Sequence, residues 1–424
     1  MFKKFLQIWQ AKDLRKNILF VLIMLAIFRL AAHIPIPGVD PSALRELFSS
    51  NQMLGLLNLF SGGGMKNFSI VMMGVAPYIT ASIIFQLLAM IVPALEEMQK
   101  EESGRQKIAT WTRYATVPLA ALQAYGMITL LRNSSLRILA SVTVWQMFSM
   151  IVTITAGTIF LMWIGELISE KHVGNGISLL IFSGIIASLP MALQQMFVSF
   201  DSSQIFTLVG FLVISILTIV GVIIITEGQR NIPISYARQI RGNRAYGGGT
   251  NTHLPIRVNM AGVMPIIFAI SVILFPSMIA QFFLNAQTPV IVSIAHWIIG
   301  VLNNQLIYGV LYFTLVFGFT YFYTEVIFHP ERIAENLQKQ GAFIPGIRPG
   351  KHTEDYVGGI TYKIIFFGAL FLSIIAILPL IMRYFTGVQA MALGGTSLLI
   401  VVSVVIEIVK QIEAQLSMRE YDGY

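Results

Sequence analysis

The chain contains no cysteine. That absence excludes a disulfide framework, a thiolate-bound metal and a cysteine nucleophile. Charge is scarce too: Asp, Glu, Lys and Arg make up 11% of the 424 residues, against about 25% in soluble domains. A water-facing surface needs more, so a single soluble globular enzyme is excluded. With 56% apolar residues, a disordered chain is excluded as well. The six histidines (His33, His172, His253, His296, His329 and His352) are scattered. No HExxH, GxSxG or P-loop run occurs. Nothing reads as a catalytic or metal site, and no cofactor is expected.

Long apolar runs are abundant, and the mean hydropathy is +0.75. They lie at 17–36, 68–95, 114–131, 138–168, 176–198, 205–226, 258–284, 306–328, 364–382 and 388–409. About 20 apolar residues span a bilayer as a helix, and the bilayer core offers backbone groups no water. The runs therefore read as ten transmembrane helices. The fourth exceeds the bilayer thickness and is expected to tilt or protrude. A shorter run, 290–302, with His296 and Trp297, suits the interface better than a crossing.

The spans sort the net charge of +8 by side. With the N-terminus inside, the outer segments hold Arg29, Arg45, Lys66, Arg132, Arg137 and Arg383, and the other 22 basic residues lie inside. Lys and Arg near span ends resist translocation, so both termini are expected to be cytoplasmic. The first run, preceded by five basic residues, reads as an uncleaved helix rather than a secretory signal.

No span carries an ionisable residue near its middle; Arg29, Glu166, Glu227, Glu325 and Glu407 lie toward ends. An ion-coupled transporter places such a group at the midplane, and an intramembrane protease needs a catalytic pair there. Both readings lack their residues. Uncharged polar residues do occur in the spans: Thr80, Ser82, Gln86, Gln123 and Asn259. Singly, each serves as interhelical glue; on helices that meet, they would mark a seam that opens.

Three connectors stand out. In 37–67, a short amphipathic piece, Leu54 to Phe60, is followed by Ser61-Gly62-Gly63-Gly64, a flexible joint. It fits an ordinary loop or a small hinged element packed inside the bundle. The segments 227–257 and 329–363 are basic, and Pro345, Gly346, Pro349 and Gly350 bracket Arg348 in the second. On charge alone they are connectors, but their length points to function.

Eight runs then carry a resemblance: FRLAAHIPIPGVD (28–40), FSGGG (60–64), GVAPYITASIIFQLL (74–88), ESGRQKIATWTRY (102–114), FLMWIGELISEKHVGNGIS (160–178), THLPIRVNMAGVMP (252–265), GAFIPGIRPGK (341–351) and GGTSLLIVV (394–402). In these, in order and over essentially the whole chain, the sequence resembles the SecY family, channel-forming subunits of the bacterial protein translocase. The resemblance implies an all-α polytopic membrane protein. Its ten transmembrane helices would form two pseudo-symmetric halves, 1–198 and 199–424, closing like a clamshell around an hourglass pore. It implies a protein-conducting channel in the plasma membrane, without bond chemistry. Unfolded, signal-bearing polypeptides cross it, and membrane helices leave it sideways into lipid.

Carried over through the motifs, the pore ring is Val75, Ile79, Ile177, Ile181, Ile267 and Ile400. Relatives often have isoleucine where this chain has Val75, which implies a slightly looser ring. A waist of aliphatic groups offers ions no hydrogen bonds and resists leakage by dewetting. The plug would be about 54–67, with Leu57, Phe60, Ser61, Gly62, Gly63 and Gly64. Thr80, Gln123 and Asn259 match the lateral gate, and Arg238, Arg241, Arg244 and Arg348 match the loops that meet the motor ATPase SecA or a ribosome. The implied partners are SecE, SecG, SecA, the ribosome, signal peptides and secretory preproteins, and membrane lipids.

Overall fold

Apolar runs that cannot leave their backbone unpaired in lipid form helices here. The computed structural model describes residues 11–39, 43–44, 47, 58, 61–133, 138–139, 143–198, 205–236, 239–241, 244–246, 252–285, 288–386 and 389–422. In the N-terminal half are α1 (Lys12–Ala31), α2 (Ala76–Ile91), α3 (Pro93–Lys100), α4 (Glu102–Asn133), α5 (Val144–Ser169) and α6 (Gly176–Val198). The C-terminal half begins with α7 (Ile205–Glu227), followed by β1 (Gln229–Tyr236), β2 (Gln239–Arg241), β3 (Arg244–Tyr246) and β4 (Thr252–Arg257). It continues through α8 (Met264–Phe282), α9 (Pro289–Asn303), α10 (Gln305–Ile327), α11 (Pro330–Lys339), β5 (Ala342–Phe343), α12 (Lys351–Thr386) and α13 (Gln389–Asp422).

Helices α1, α2, α4, α5, α6, α7, α8, α10, α12 and α13 coincide with the ten apolar runs, while α9 covers the run expected in the interface. Three helices begin well inside their apolar runs, whereas α1, α4 and α12 begin ahead of theirs. The second run is helical only from Ala76; residues 61–75 are consecutive turns and one bridge. Phe68 (φ 46°) and Gly74 (φ 57°) leave the helical region, and the segment pairs instead with the end of the first span. Ile36 N–H donates to Phe68 O (2.8 Å) and Ile70 N–H to Ile34 O (3.1 Å). The fourth run becomes helical at Val144, where Thr143 and Gln146 form a capping box. The seventh begins at Met264, after Gly262 (φ 61°). At Pro93 the chain turns by 106° between α2 and α3, because proline disfavours helical backbone in the residue before it.

The packing repeats with a period of five spans. Spans one and five (α1, α6) touch, as do six and ten (α7, α13). Two and three (α2, α4) match seven and eight (α8, α10). Three and four (α4, α5) match eight and nine (α10, α12), and four and five (α5, α6) match nine and ten (α12, α13). Between the halves the principal contacts form two seams: α8 against α2 and α4, and α6 against α13. This is the architecture of a clamshell.

The basic connectors are not plain loops. β1 pairs antiparallel with β4, from Gln229↔Arg257 to Ile234↔Thr252, and with β5 at Ser235↔Phe343 and Tyr236↔Ala342. The sheet order β4-β1-β5 thus joins the two connectors. Ile232 and Ile256 pack with Ile344, Val357 and Ile360 at the start of α12. Ile234 packs with Leu337 of α11 and Ala342. Alternate residues of β1 are buried, as strand geometry requires when only one face is covered.

Candidate functional site

Four helices bring the expected ring residues into one apolar core. Val75 caps α2 and Ile79 follows one turn later; Ile177 and Ile181 lie one turn apart on α6. Residues four apart share a helix face. Ile267 comes from α8 and Ile400 from α13, so each half supplies two elements. Val75, Ile79, Ile181, Ile267 and Ile400 are 1–6% exposed, and Ile177 packs against the same cluster.

The glycine-rich joint enters the same cluster through Met65. Ser61, Gly62 and Gly64 are buried. Gly62 (φ 67°) and Gly63 (φ 83°) adopt backbone that other residues resist. The joint is closed by its own polar groups. Ser61 Oγ donates to Asn58 O (3.0 Å) and accepts from Met65 N–H (3.1 Å), and Asn58 Oδ1 accepts from Lys66 N–H (2.9 Å). Gly62 lies against α6 so closely that a Cβ on Gly184 would stand 2.2 Å from Gly62 Cα. A Cβ on Gly157 of α5 would stand 1.9 Å from Ile70 O, so a second glycine admits the turns that follow. Leu57 and Phe60 lie outside the described residues.

The three gate candidates lie on or just before helices that touch. Thr80 Oγ1 donates to Ala76 O (3.0 Å) within α2, and Gln123 on α4 is buried. Asn259, also buried, donates from Nδ2 to Gly262 O (3.2 Å) before α8. Among the described residues the side-chain bonds of Thr80 and Asn259 are local, so neither of them ties α8 to its neighbours.

In the connectors, Arg348 is exposed between Gly346 (φ 84°) and Gly350 (φ 96°), and Thr353 Oγ1 donates to its carbonyl (3.0 Å). Arg241 and Arg244 face each other in register across β2 and β3; Arg238 lies outside the described residues. On α11, Lys339 holds the Glu335 carboxyl below its usual range, chiefly through their hydrogen bond and then through its charge.

Several residues escaped the sequence reading. Arg29, near the end of α1, donates from Nη1 to Gly62 O. Arg113 of α4 and Glu166 of α5 form an ion pair through Nε and Oε1. Gly157 and Gly184 looked like any apolar-helix glycine. An isolated glycine in a helical pattern is the signal for such close approach, and Arg29 was visible as a basic residue on the sparse side.

Two five-span halves, meeting at two seams around an apolar centre with a turn segment packed into it, define a polytopic helical channel. A family model described as SecY matches residues 69–409. The protein translocase subunit SecY of Halalkalibacterium halodurans is 44% identical over 435 residues, covering 100% of both proteins. Among solved structures, a SecY channel whose plug domain is described as stabilising the closed state and maintaining a membrane seal aligns with a TM-score of 0.67. Its sequence identity is 17%, over 93% of this chain and 91% of that one. Sec61 from a canine ribosome-channel complex of the endoplasmic reticulum aligns with a TM-score of 0.61 at 15% identity, over 93% and 91%. The chain belongs to the SecY family. It is a protein-translocation channel subunit and not an enzyme.

Proposed function

We propose that unfolded polypeptides pass this channel through the collar of Val75, Ile79, Ile177, Ile181, Ile267 and Ile400, and that the segment 54–67 stops the idle pore. The observation that carries this reading is that these aliphatic residues, supplied by α2, α6, α8 and α13, belong to or pack on one apolar cluster that spans both halves, while Gly62 is seated on α6 at Gly184, three residues from Ile181. The collar seals around passing cargo without gripping any one side chain, because it presents no polar group. Helices leave sideways between α8 and the pair α2 and α4. The locally spent hydrogen bonds of Thr80 and Asn259 suit a seam that an arriving apolar helix can part.

The halves divide at 198/199, and both termini face the cytoplasm. There the connectors joined by the sheet receive SecA or a translating ribosome through Arg238, Arg241, Arg244 and Arg348. Arginine forks pair with carboxylate or phosphate, and the fold shared with the canine ribosome-channel complex supports the second partner. SecE and SecG accompany the chain, signal peptides open it, and lipid borders the gate.

The test is single-channel recording of the reconstituted complex with three collar residues, Ile79, Ile181 and Ile267, changed to serine. Idle ion conductance should rise because the waist wets. Conductance equal to the unaltered channel would overturn the collar assignment.

A further inference from the structure

We propose that Arg29 is the latch of the plug: its guanidinium, hydrogen-bonded to the carbonyl of Gly62, holds the glycine joint in the closed position and thereby sets how readily a signal sequence opens the channel. This rests on the reading of 54–67 as the plug.

Three observations converge on it. First, Arg29 is a half-buried cation near the outer end of α1, on the side that carries few basic residues. Among the described residues it pairs with no carboxylate, and its Nη1 is given to a backbone carbonyl 33 positions away. Second, that carbonyl belongs to a glycine wedged between two walls. A Cβ at Gly62 would meet the Phe28 ring at 2.4 Å and Gly184 Cα at 3.3 Å. The latch therefore acts on a joint already seated in a slot that admits no side chain. Third, Arg29 is itself positioned. Its carbonyl lies 2.8 Å from His33 Nδ1, and Asn67 Nδ2 donates to Ala32 O (3.4 Å), tying the end of α1 to the far side of the joint. Phe28 and Arg29, adjacent on one helix, thus provide the wall and the clasp. A charge-assisted hydrogen bond out of bulk water is strong enough to move a two-state equilibrium by about tenfold or more.

The natural absence of cysteine permits a clean reporter: Lys66→Cys in the full chain, purified with its partner subunits and reconstituted in vesicles. Its modification rate by a membrane-impermeant thiol reagent reads displacement of the segment. Arg29→Met keeps the stem but no donor; Arg29→Lys keeps one cation. Arg29→Met should raise both the modification rate and the idle ion conductance about tenfold, with Arg29→Lys between it and the unaltered channel. Conductance of a channel lacking 57–65 should be high and insensitive to either change. A channel with Arg29→Met that behaves like the unaltered one, while the deletion leaks, overturns the latch and spares the plug. An added leak from Arg29→Met on the deletion background also overturns it, since the residue would then act on the pore wall. A deletion that does not leak overturns the plug reading itself. Should Arg29→Met fail to assemble, the reporter rate in Arg29→Lys decides: an unchanged rate refutes the latch.

Discussion

Gly184→Ala is the most telling single change in this channel. On α6 the added Cβ would stand 2.2 Å from Gly62 Cα, 3.1 Å from its nitrogen and 3.3 Å from its carbonyl carbon. All three are backbone atoms, so no flexible side-chain end can swing aside. Overpacking of this kind costs about 1–3 kcal/mol. An isolated Gly→Ala change in a helix is otherwise favourable by about 0.5–1 kcal/mol, so α6 itself has no reason to yield. The strain falls on the joint, which rests on turns rather than a helix. A penalty of about 1–3 kcal/mol on the proposed plugged state moves its population roughly 5- to 150-fold. Planar-bilayer recording should show idle openings more frequent by that factor, and export of a preprotein with a defective signal should rise with them. Gly318→Ala on α10, where nothing lies within 4 Å of the new atom, controls for the effect of alanine alone. If Gly184→Ala channels idle as quietly as Gly318→Ala channels, the joint does not need its seat on α6, and the closure argument falls.

Other outcomes follow from single contacts. Arg348→Glu, on an exposed loop, should sharply reduce SecA-driven export in a vesicle assay while leaving the melting temperature within a degree or two. Unimpaired export would remove that arginine from the proposed docking surface. The Tyr312 hydroxyl is buried and, among the described residues, has no hydrogen-bond partner, so Tyr312→Phe should leave thermal stability in detergent unchanged or higher. A loss of several degrees would reveal a partner. Arg113→Glu should destabilise by about 1 kcal/mol, since the pair is partly exposed. The swap Arg113→Glu with Glu166→Arg should recover most of it in the same melting assay; no recovery would mean the pair is incidental.

Hydropathy made the ten spans legible, because lipid allows the backbone little choice and one dominant force decides. Where forces compete, the reading slipped. Residues 68–75 are as apolar as a helix, yet Phe68 and Gly74 take positive φ and the segment bonds to Ile34 and Ile36, a tertiary outcome invisible in composition. The hairpin of β1 and β4 was written in the alternation Ile232-x-Ile234 and Leu254-x-Ile256. Its basic residues and Pro233 masked it as a loop. The ring and gate positions came from motif resemblance, since an isoleucine facing a pore and one facing lipid are chemically identical. Gly62, Gly157 and Gly184 needed coordinates, because close approach is a property of two segments at once.

The small sheet that joins the two basic connectors has a mechanical corollary. β1 continues α7, β4 leads into α8, and β5 lies between α11 and α12. Val258 N–H bonds to Gly228 O (2.8 Å), and its own carbonyl presses on Gly368 of α12. A thrust delivered to any one of these strands reaches the roots of three spans together. The C-terminal half should therefore swing as a single paddle, with the strand cluster as its handle, turning a push on the strands into motion at the edge that α8 shares with the opposite half.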